Sequence, residues 1–326
     1  MSKRNLNKVQ KSAVESFGKP VLIFAGAGSG KTRVLTHKIA HLIDKGLVSA
    51  QNILAVTFTN KAAQEMRERV SKLLKNKNTS VNLGTFHSIC ARILRKEIHH
   101  LGYTTDFSIF DVKDQVTLVK VVLEAMDIPK NYVTPQEVRH KISYFKNKLI
   151  HPDEAQSKAH LVIEKTYAEI YKNYQKALFE NNAVDFDDLL ILPLQLFEKN
   201  PKVLEKYRED WQYILVDEYQ DTNKPQFMLI KYLAGSHKQV CVVGDDDQSI
   251  YGWRGADIRN ILDFEKTFGN CEVFKLEKNY RSSGHILEAA SSVVKNNDNR
   301  APKELIAHND VGEKLGLIET HDEMEE

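Results

Sequence analysis

The chain has 326 residues, of which 42% are hydrophobic and 28% are charged, and its formal net charge is +2. This composition predicts a globular protein with room for two domains, or for one large domain with an insertion. The small net charge gives no general basic excess, so any contact with nucleic acid must depend on local features. No apolar run approaches the ~20 residues of a membrane span, which excludes an integral membrane protein of the helical class.

The three cysteines, Cys90, Cys241 and Cys271, stand apart along the chain. They form no CxxC pair, and the twelve histidines fall in no metal-binding pattern. The basic start of the chain lacks the apolar core of a signal peptide. We therefore expect a cytoplasmic protein with reduced thiols, no structural metal and no membrane partner.

Short apolar runs alternate with amphipathic helical stretches from the start of the chain to about Ser108. The runs VLIFA, NILAVTFT and VNLGTF precede the helical stretches TRVLTHKIAHLIDKG, NKAAQEMRERVSKLL and HSICARILRKEIHHLG. Continuous apolar runs of this length predict strands that are buried on both faces. Such strands are typical of a parallel sheet with crossover helices.

The pattern changes after Ser108, because every segment from there to about residue 188 has helical period and none is a strand candidate. Alternation then returns with the strands QYILVDE, QVCVVGD and CEVFKLE. We therefore predict an α/β fold in which residues 1–108 and 189–274 form one parallel-sheet domain. Residues 109–188 form an all-helical subdomain inserted into it, and residues 275–326 begin another unit.

A glycine-rich turn, AGAGSGKT, follows the first predicted strand. Its small residues let backbone N–H groups approach phosphate oxygens, and the N-terminus of the next helix adds partial positive charge. The pattern G-x-x-x-x-G-K-[ST] has glycine where this chain has Ala25, and alanine is small enough to leave the loop open. The alternative is a glycine turn that binds nothing. The predicted phosphate-binding residues are Gly26, Ala27, Gly28, Ser29, Gly30, Lys31 and Thr32.

Within this loop, we expect Lys31 to reach the β- and γ-phosphates and the Thr32 hydroxyl to ligate Mg²⁺. A second Mg²⁺ ligand must come from a neighbouring strand end. The segment YILVDEYQD supplies Asp217 for the metal and Glu218 to polarise an attacking water, which favours hydrolysis over transfer to a bound acceptor. The alternative is a solvated acidic turn.

The segment VVGDDDQSIYGWRGAD also follows a predicted strand, so it should lie at the same sheet edge. Gln248 is a candidate sensor of the phosphates. Tyr251 and Trp253 lie beside Arg254 in a loop, an arrangement that suits stacking on unpaired bases. The alternative is that these aromatic residues fill local core. The basic residues on the helix after Asn60 indicate either phosphate contacts or a solvated face.

Several segments resemble the motifs of superfamily 1 DNA helicases of the Rep/UvrD/PcrA type, with Rep most similar and UvrD and PcrA close alternatives. They are LNKVQ, AGAGSGKT, TFTNKAAQEM, GTFHS, VDFDDLL, LVDEYQDTN, VGDDDQSIYGWRGAD and LEKNYRSS, in the order that the family has them. The resemblance implies a RecA-like P-loop NTPase fold. It also implies an ATP-dependent DNA helicase or translocase, 3′→5′ on single-stranded DNA, that uses ATP and Mg²⁺ in replication or repair.

The resemblance further implies a role for individual residues. Gln10 would read the adenine edge, and Arg33 and Tyr280 would flank the ring. Gln248 would contact the γ-phosphate, and Arg281 would stabilise its developing charge. The residues implied to line the path of single-stranded DNA, and so to meet single-strand/duplex junctions, are Phe58, Asn60, Thr85, His87, Phe186, Tyr251, Trp253 and Arg254.

Phe58 and His87 come just after predicted strand ends, which independently supports their place at the sheet edge. Phe186 would be assigned to the core on sequence alone. Nothing after Ser283 resembles the motifs of the family's second motor domain. We therefore expect the chain to hold the first motor domain, its insertion and a short start of the second, and to lack helicase activity alone.

Three other interpretations compete with this one. A P-loop ATPase or kinase that never contacts nucleic acid would explain Lys31, Thr32 and Asp217 but not the QSIYGWR loop. A protein-interaction module with a vestigial site is disfavoured because Lys31, Thr32, Asp217 and Glu218 are all present. A nuclease-fused relative of the same helicase group stays possible on sequence.

Overall fold

The computed structural model describes residues 6–75, 80–235, 237–297 and 300–316. The central strands are β1 (Val21–Ala25), β2 (Ile53–Thr57), β3 (Asn82–Thr85), β6 (Tyr213–Val216), β7 (Val240–Gly244) and β8 (Glu272–Leu276). They form one six-stranded sheet in the order β3-β2-β6-β7-β1-β8, and every pairing is parallel. Two short parallel pairs lie outside it, β4 (Ser108–Phe110) with β5 (Ala183–Asp185) and β9 (Lys278–Asn279) with β10 (Ile306–Ala307).

The helices connect these strands and cover the sheet. They are α1 (Lys8–Glu15), α2 (Lys31–Asp44), α3 (Asn60–Leu73), α4 (Phe86–Glu97), α5 (Val112–Ala125), α6 (Pro135–Asn147), α7 (Pro152–Lys158), α8 (Val162–Glu180), α9 (Phe186–Lys199), α10 (Pro201–Asp210), α11 (Lys224–Ala234), α12 (Arg259–Leu262), α13 (Phe264–Phe268) and α14 (Gly284–Val294). The segment DIRNILDFEKTF, predicted as one helix, is divided at Asp263 into α12 and α13. No helix of the described residues has both the length and the apolar character that a membrane crossing requires.

The sheet is buried on both faces, as the continuous apolar runs predicted. Every residue of β1, β2, β6 and β7 is buried. Successive side chains point to opposite faces, so Val21 and Ile23 join a core with α1, α2 and α3. Leu22 and Phe24 join another core with α4 and α9 through α13. The predicted α/β fold with a parallel sheet is therefore confirmed.

Helices α5, α6 and α8 pack around a separate apolar core that includes Val119, Val138 and Tyr171. The prediction that this segment contains no strand is wrong, because β4 and β5 pair at its base. Each of these strands has only three residues, which is too short for an alternating pattern to show in the sequence. Within the predicted segment 275–326, the described residues form the end of β8, then β9, α14 and β10. Residues 317–326 lie outside the described part.

Lys146 fixes the base of these helices to the start of α9. Its ammonium is fully buried and lies 2.7 Å from a carboxylate oxygen of Asp185 and 2.7 Å from one of Asp188. The Tyr174 hydroxyl also donates to Asp185, at 3.1 Å. Because these charges are buried, each depends on its partners. The three helices α6, α8 and α9 are thereby held in one arrangement.

Candidate functional site

The glycine-rich loop runs from β1 into α2 at the carboxyl edge of the sheet. Gly30 is the N-cap of α2, and its φ of 92° is in the left-handed region that favours glycine. Gly28 has a φ of 68°, and a Cβ there would lie 2.7 Å from the Arg281 Cβ. The segment that contains Arg281 therefore packs directly on the loop, and a side chain larger than that of glycine at position 28 would prevent this close approach. Inside the loop, the Ser29 hydroxyl donates to the Gly26 carbonyl at 2.6 Å.

The predicted acids lie beside this loop, at the end of β6. The Lys31 ammonium is 2.9 Å from Glu218 Oε2, and the Thr32 hydroxyl hydrogen-bonds to Asp217. Burial, and then the charge of Glu218, raise the pKa of Asp217 to about 7, while Lys31 and Thr32 act in the opposite direction. Glu218 has a φ of 50°, an uncommon conformation for a residue other than glycine. Such backbone strain is concentrated at functional sites.

Polar side chains from two strand ends extend this group. Gln220 donates to Glu218 Oε2 at 2.9 Å and accepts from the Asp245 backbone N–H at 3.0 Å. The Gln248 amide donates to the Asp245 carboxylate. Gln248 is thus connected to Glu218 through Asp245 and Gln220. Gln220 and Asp245 were not among the predicted site residues, although Gln220 lies two residues after the run QYILVDE and Asp245 ends the run QVCVVGD.

Basic residues near the end of the described chain cover the acidic loop after β7. The Lys303 ammonium contacts the carboxylates of Asp245, Asp246 and Asp247, with distances of 2.8 Å to Asp245 and 2.9 Å to Asp247. Arg300 donates to both oxygens of Asp247, at 3.0 and 2.8 Å. The three aspartates therefore form a site for a lysine. No local motif indicated this contact, because more than fifty residues separate its partners.

The segment after β8 lies directly on the glycine-rich loop. The Tyr280 backbone N–H donates to the Gly28 carbonyl at 3.0 Å, and Asn279 Nδ2 donates to the Ala27 carbonyl at 2.6 Å. The Tyr280 hydroxyl accepts from Asn7 Nδ2 at 2.9 Å. Tyr280, which was predicted to flank the nucleotide ring, is thus held against the glycine-rich loop and the start of α1.

A cavity of about 510 Å³ opens between these elements. Its size is that of a small-molecule pocket. It is lined by Ala27, Gly28, Gly30, Lys31, Thr32, Arg33, Glu65, Arg69, Glu218, Gln248, Tyr280 and Arg281. All of these except Glu65 and Arg69 were predicted ATP-site residues. Glu65 and Arg69 form an exposed salt bridge on α3 at 3.4 Å, and their sequence spacing is that of an ordinary surface ion pair. Gly26, Ser29, Asp217 and Gln10 do not line the cavity and are buried.

The residues at this cavity match the chemistry of a nucleoside triphosphate with Mg²⁺. Asp217 and Thr32 provide hard oxygen ligands, which Mg²⁺ prefers. Lys31, Arg33 and Arg281 line the same cavity and provide positive charge for phosphates. The raised pKa of Asp217 reflects a buried carboxylate that a cation would stabilise.

A larger cavity of about 880 Å³ opens at the same edge of the sheet and is rich in aromatic rings. The rings of Phe58 and Tyr251 stack with centroids 5.1 Å apart. The Arg254 guanidinium lies 4.5 Å from the Trp253 ring centroid, and Trp253 is 75% exposed. The alternative that Trp253 fills the core is therefore wrong. Thr85 and His87 line the same cavity.

Two of the residues implied to contact DNA, Phe186 and Asn60, are outside the lining of this cavity. Phe186 is 51% exposed, which contradicts the core position that sequence alone favoured. Its ring centroid is 5.9 Å from that of His87, which does line the cavity. Asn60 begins α3 and is exposed, and it is absent from the lining.

Sequence reasoning missed the wall that α6 contributes to the aromatic cavity. The residues that α6 and the next position provide there are Arg139, His140, Ser143, Tyr144, Asn147 and Lys148. Asn147 donates to Asp187 at 3.0 Å and accepts from Asn223 at 2.8 Å. This side chain therefore joins α6 to both α9 and the segment that follows Glu218. The amphipathic pattern of α6 predicts a polar helix face, but it does not indicate that this face lines a cavity.

Two family models match consecutive parts of the chain. Residues 6–269 match the UvrD/REP helicase N-terminal domain, and residues 274–326 match the UvrD-like helicase C-terminal domain. The ATP-dependent DNA helicase PcrA of Bacillus subtilis is 48% identical over 321 residues, 98% of this chain and 43% of the relative. PcrA of Staphylococcus aureus is 49% identical over 322 residues, 99% of this chain and 44% of the relative.

The chain thus spans less than half the length of these curated relatives. The similarity supports the group as a whole and not its Rep branch in particular. The N-terminal domain match covers most of the chain. The chain belongs to the UvrD/REP helicase family.

Proposed function

We propose that this chain is the ATP- and single-stranded-DNA-binding part of an ATP-dependent DNA helicase. One observation carries this proposal. The segment that follows β7 contributes Gln248 to the cavity with the glycine-rich loop and, three residues later, Tyr251 to the aromatic cavity. A single short loop therefore lines both cavities. A movement of this loop at one cavity would therefore also change the lining of the other.

The nucleotide cavity supplies the groups that ATP hydrolysis requires. Lys31 and Arg281 would bind the terminal phosphates, and Glu218 would orient and deprotonate the attacking water. In the structure Glu218 is paired with Lys31, so binding of phosphates by Lys31 would release Glu218 for this role. Thr32 and Asp217 would hold Mg²⁺, which supplies positive charge to the phosphates.

Gln10, Arg33 and Tyr280 would bind the adenosine end of the nucleotide. The Gln10 amide is already oriented, because its Oε1 accepts from the Asn7 N–H at 3.0 Å and its Nε2 donates to the Ser29 carbonyl at 2.8 Å. One Nε2 hydrogen is left for an acceptor on the base. Arg33 lines the cavity together with Tyr280.

The aromatic cavity suits unpaired bases better than a duplex. Tyr251 and Trp253 offer ring faces, and each stacked base contributes about 1–3 kcal/mol. Arg254 and the α6 residues Arg139 and Lys148 provide cations for the phosphates. The bases of a duplex already stack on each other, so the exposed rings favour single strands and junctions.

The relatives are named ATP-dependent DNA helicases, and we propose the same activity for a protein of their length that contains residues 1–326. We assign residues 1–108 and 189–274 to its first motor domain, residues 109–188 to an insertion and residues 275–326 to the start of a second motor domain. On the family resemblance we also propose unwinding with 3′→5′ polarity and a task in replication or repair, and on the isolated cysteines we propose a cytoplasmic location. The 326 residues by themselves would bind both ligands without unwinding DNA.

Nucleotide binding can be tested with a fluorescent ATP analogue in the presence of Mg²⁺. Replacing Lys31 by Met removes a charge-assisted contact to the phosphates, so the affinity should fall at least about tenfold. Lys45→Met, at the exposed end of the same helix, is the control and should bind as the wild type does. Equal affinities for Lys31→Met and the wild type would refute the nucleotide site.

A further inference from the structure

Lys38 is a buried cation on α2 that the proposed chemistry leaves unused. Its side chain has 0% exposure, and it lies about two turns beyond Lys31 on the same helix. The ammonium donates to the Ala13 carbonyl at 2.9 Å and to the Ser16 carbonyl at 2.7 Å. It forms no salt bridge with a carboxylate among residues 6–75, 80–235, 237–297 and 300–316.

The two carbonyls belong to the end of α1. Ala13 is in its last turn, and Ser16 is its C-cap. Carbonyls at a helix C-terminus lack partners within the helix and carry partial negative charge, so an ammonium is a suitable cap. Burial of a charge nevertheless has a large desolvation cost. An apolar side chain would pack α1 on α2 without that cost but could not fix the position of its last turn.

The opposite end of α1 lies at the nucleotide cavity. Asn7 is its N-cap and donates to the Tyr280 hydroxyl at 2.9 Å. Gln10 is only 1% exposed and donates to the Ser29 carbonyl at 2.8 Å. A Cβ on Gly30 would lie 3.1 Å from the Gln10 amide nitrogen, so Gln10 has little freedom to move toward the loop. A small shift of α1 would therefore change the position of the Gln10 amide relative to the nucleotide cavity.

We propose that Lys38 is a positioning residue for base recognition, because it fixes α1, and with it Gln10, relative to the phosphate-binding loop. Helix α2 begins at that loop with Lys31 and carries Lys38 further along. One helix thus sets the separation between the phosphate contacts and the amide that would read the adenine edge. This inference rests on the proposed function, since it presupposes that Gln10 contacts the base.

The test is the ratio of the dissociation constants for GTP and ATP, measured with Mg²⁺ by isothermal titration calorimetry on the whole chain. We expect the wild type to prefer ATP. Lys38→Met keeps the length and apolar stem but lacks the donor, and it should lower the GTP-to-ATP ratio at least about threefold. If Lys38 has only a structural role, both affinities fall together and the ratio is unchanged. That result would overturn the proposal.

Two further variants keep the test decisive. If Lys38→Met does not fold, Lys38→Arg replaces it in the test. Arginine retains the charge but displaces the last turn of α1, so the GTP-to-ATP ratio should fall. An unchanged ratio would overturn the proposal. Gln10→Ala should lower the ratio, and adding Lys38→Met to it should cause no further loss of the ratio. A further loss would contradict action through Gln10. A wild-type chain that binds neither nucleotide would instead refute the proposed function.

Discussion

His87 shows how burial sets the properties of a single side chain in the aromatic cavity. It lies at the start of α4, next to Phe186. Burial lowers its pKa from the ordinary value of 6.5. The imidazole is therefore neutral at neutral pH, and its contact with DNA would depend on its ring rather than on charge.

The lowered pKa has a consequence for stability. A histidine whose pKa is lower in the folded than in the unfolded state takes up fewer protons when folded, so its contribution to stability is lost as the pH falls below about 6.5. His87→Asn removes the titrating group. The variant should therefore lose less stability than the wild type between about pH 7.5 and pH 5.5, by a few tenths to about 1 kcal/mol.

Urea unfolding at the two pH values measures this difference. The wild type, measured at the same two pH values, is the reference. A pH dependence of His87→Asn equal to that of the wild type would show that His87 is not buried as described.

The site positions of residues that directly follow an apolar strand were predictable from the sequence. Asp217, Phe58 and His87 all follow such runs, and parallel strands bring their carboxyl ends to one edge. Lys303 and Gln220 were not predictable. Lys303 meets its aspartates only through the fold, and Gln220 gains its role from a backbone N–H of the next strand end.

At the scale of elements, the acidic loop after β7 depends on the segment near Lys303. The Lys303 side chain is 3% exposed, and all three aspartates lie within contact distance of it. The same loop holds Gln248, through Asp245. The position of Gln248 is therefore set partly by a residue more than fifty positions away in the chain.

Removing this lysine leaves buried carboxylates without their cation. Lys303→Met should lower the free energy of unfolding by about 3–5 kcal/mol, the usual effect of breaking a buried ion pair from one side. Lys266→Met is the control, because Lys266 forms an exposed salt bridge with Asp263, and its effect should stay below about 1 kcal/mol. Urea unfolding of both variants checks the prediction. Similar small losses would show that Lys303 is not part of a buried network.

The elements themselves were predictable where the pattern is long. Strands β1, β2, β6 and β7 appear in the sequence as unbroken apolar runs, because both faces of each are covered. Strands β4 and β5 were missed because three residues carry no periodicity. The division between α12 and α13 was missed since both helices continue one apolar pattern across Asp263.

At the scale of the whole molecule, the two cavities share one sheet edge and one connecting loop. Gln248 contributes to the nucleotide cavity, and Tyr251 and Trp253 contribute to the aromatic one. Asn147 also ties α6 to the segment that follows Glu218, through Asn223. The proposed function therefore requires that DNA occupy the aromatic cavity at this loop.

Intrinsic tryptophan fluorescence tests that requirement most directly. The chain has only two tryptophans. Trp211 is buried in the core, and Trp253 is exposed at the aromatic cavity. Titration with oligo-dT at low salt should quench the emission, and a blunt duplex should have much less effect. Added salt should reverse the quenching, because phosphate contacts weaken as ionic strength rises.

Trp253→Phe keeps an aromatic ring and leaves Trp211 as the reporter. In this variant the quenching by oligo-dT should disappear. If DNA lies on this loop, the quenching will be specific for the single strand and will be lost in Trp253→Phe. No change in the wild type with either DNA, or equal quenching in the variant, would contradict this position of the DNA.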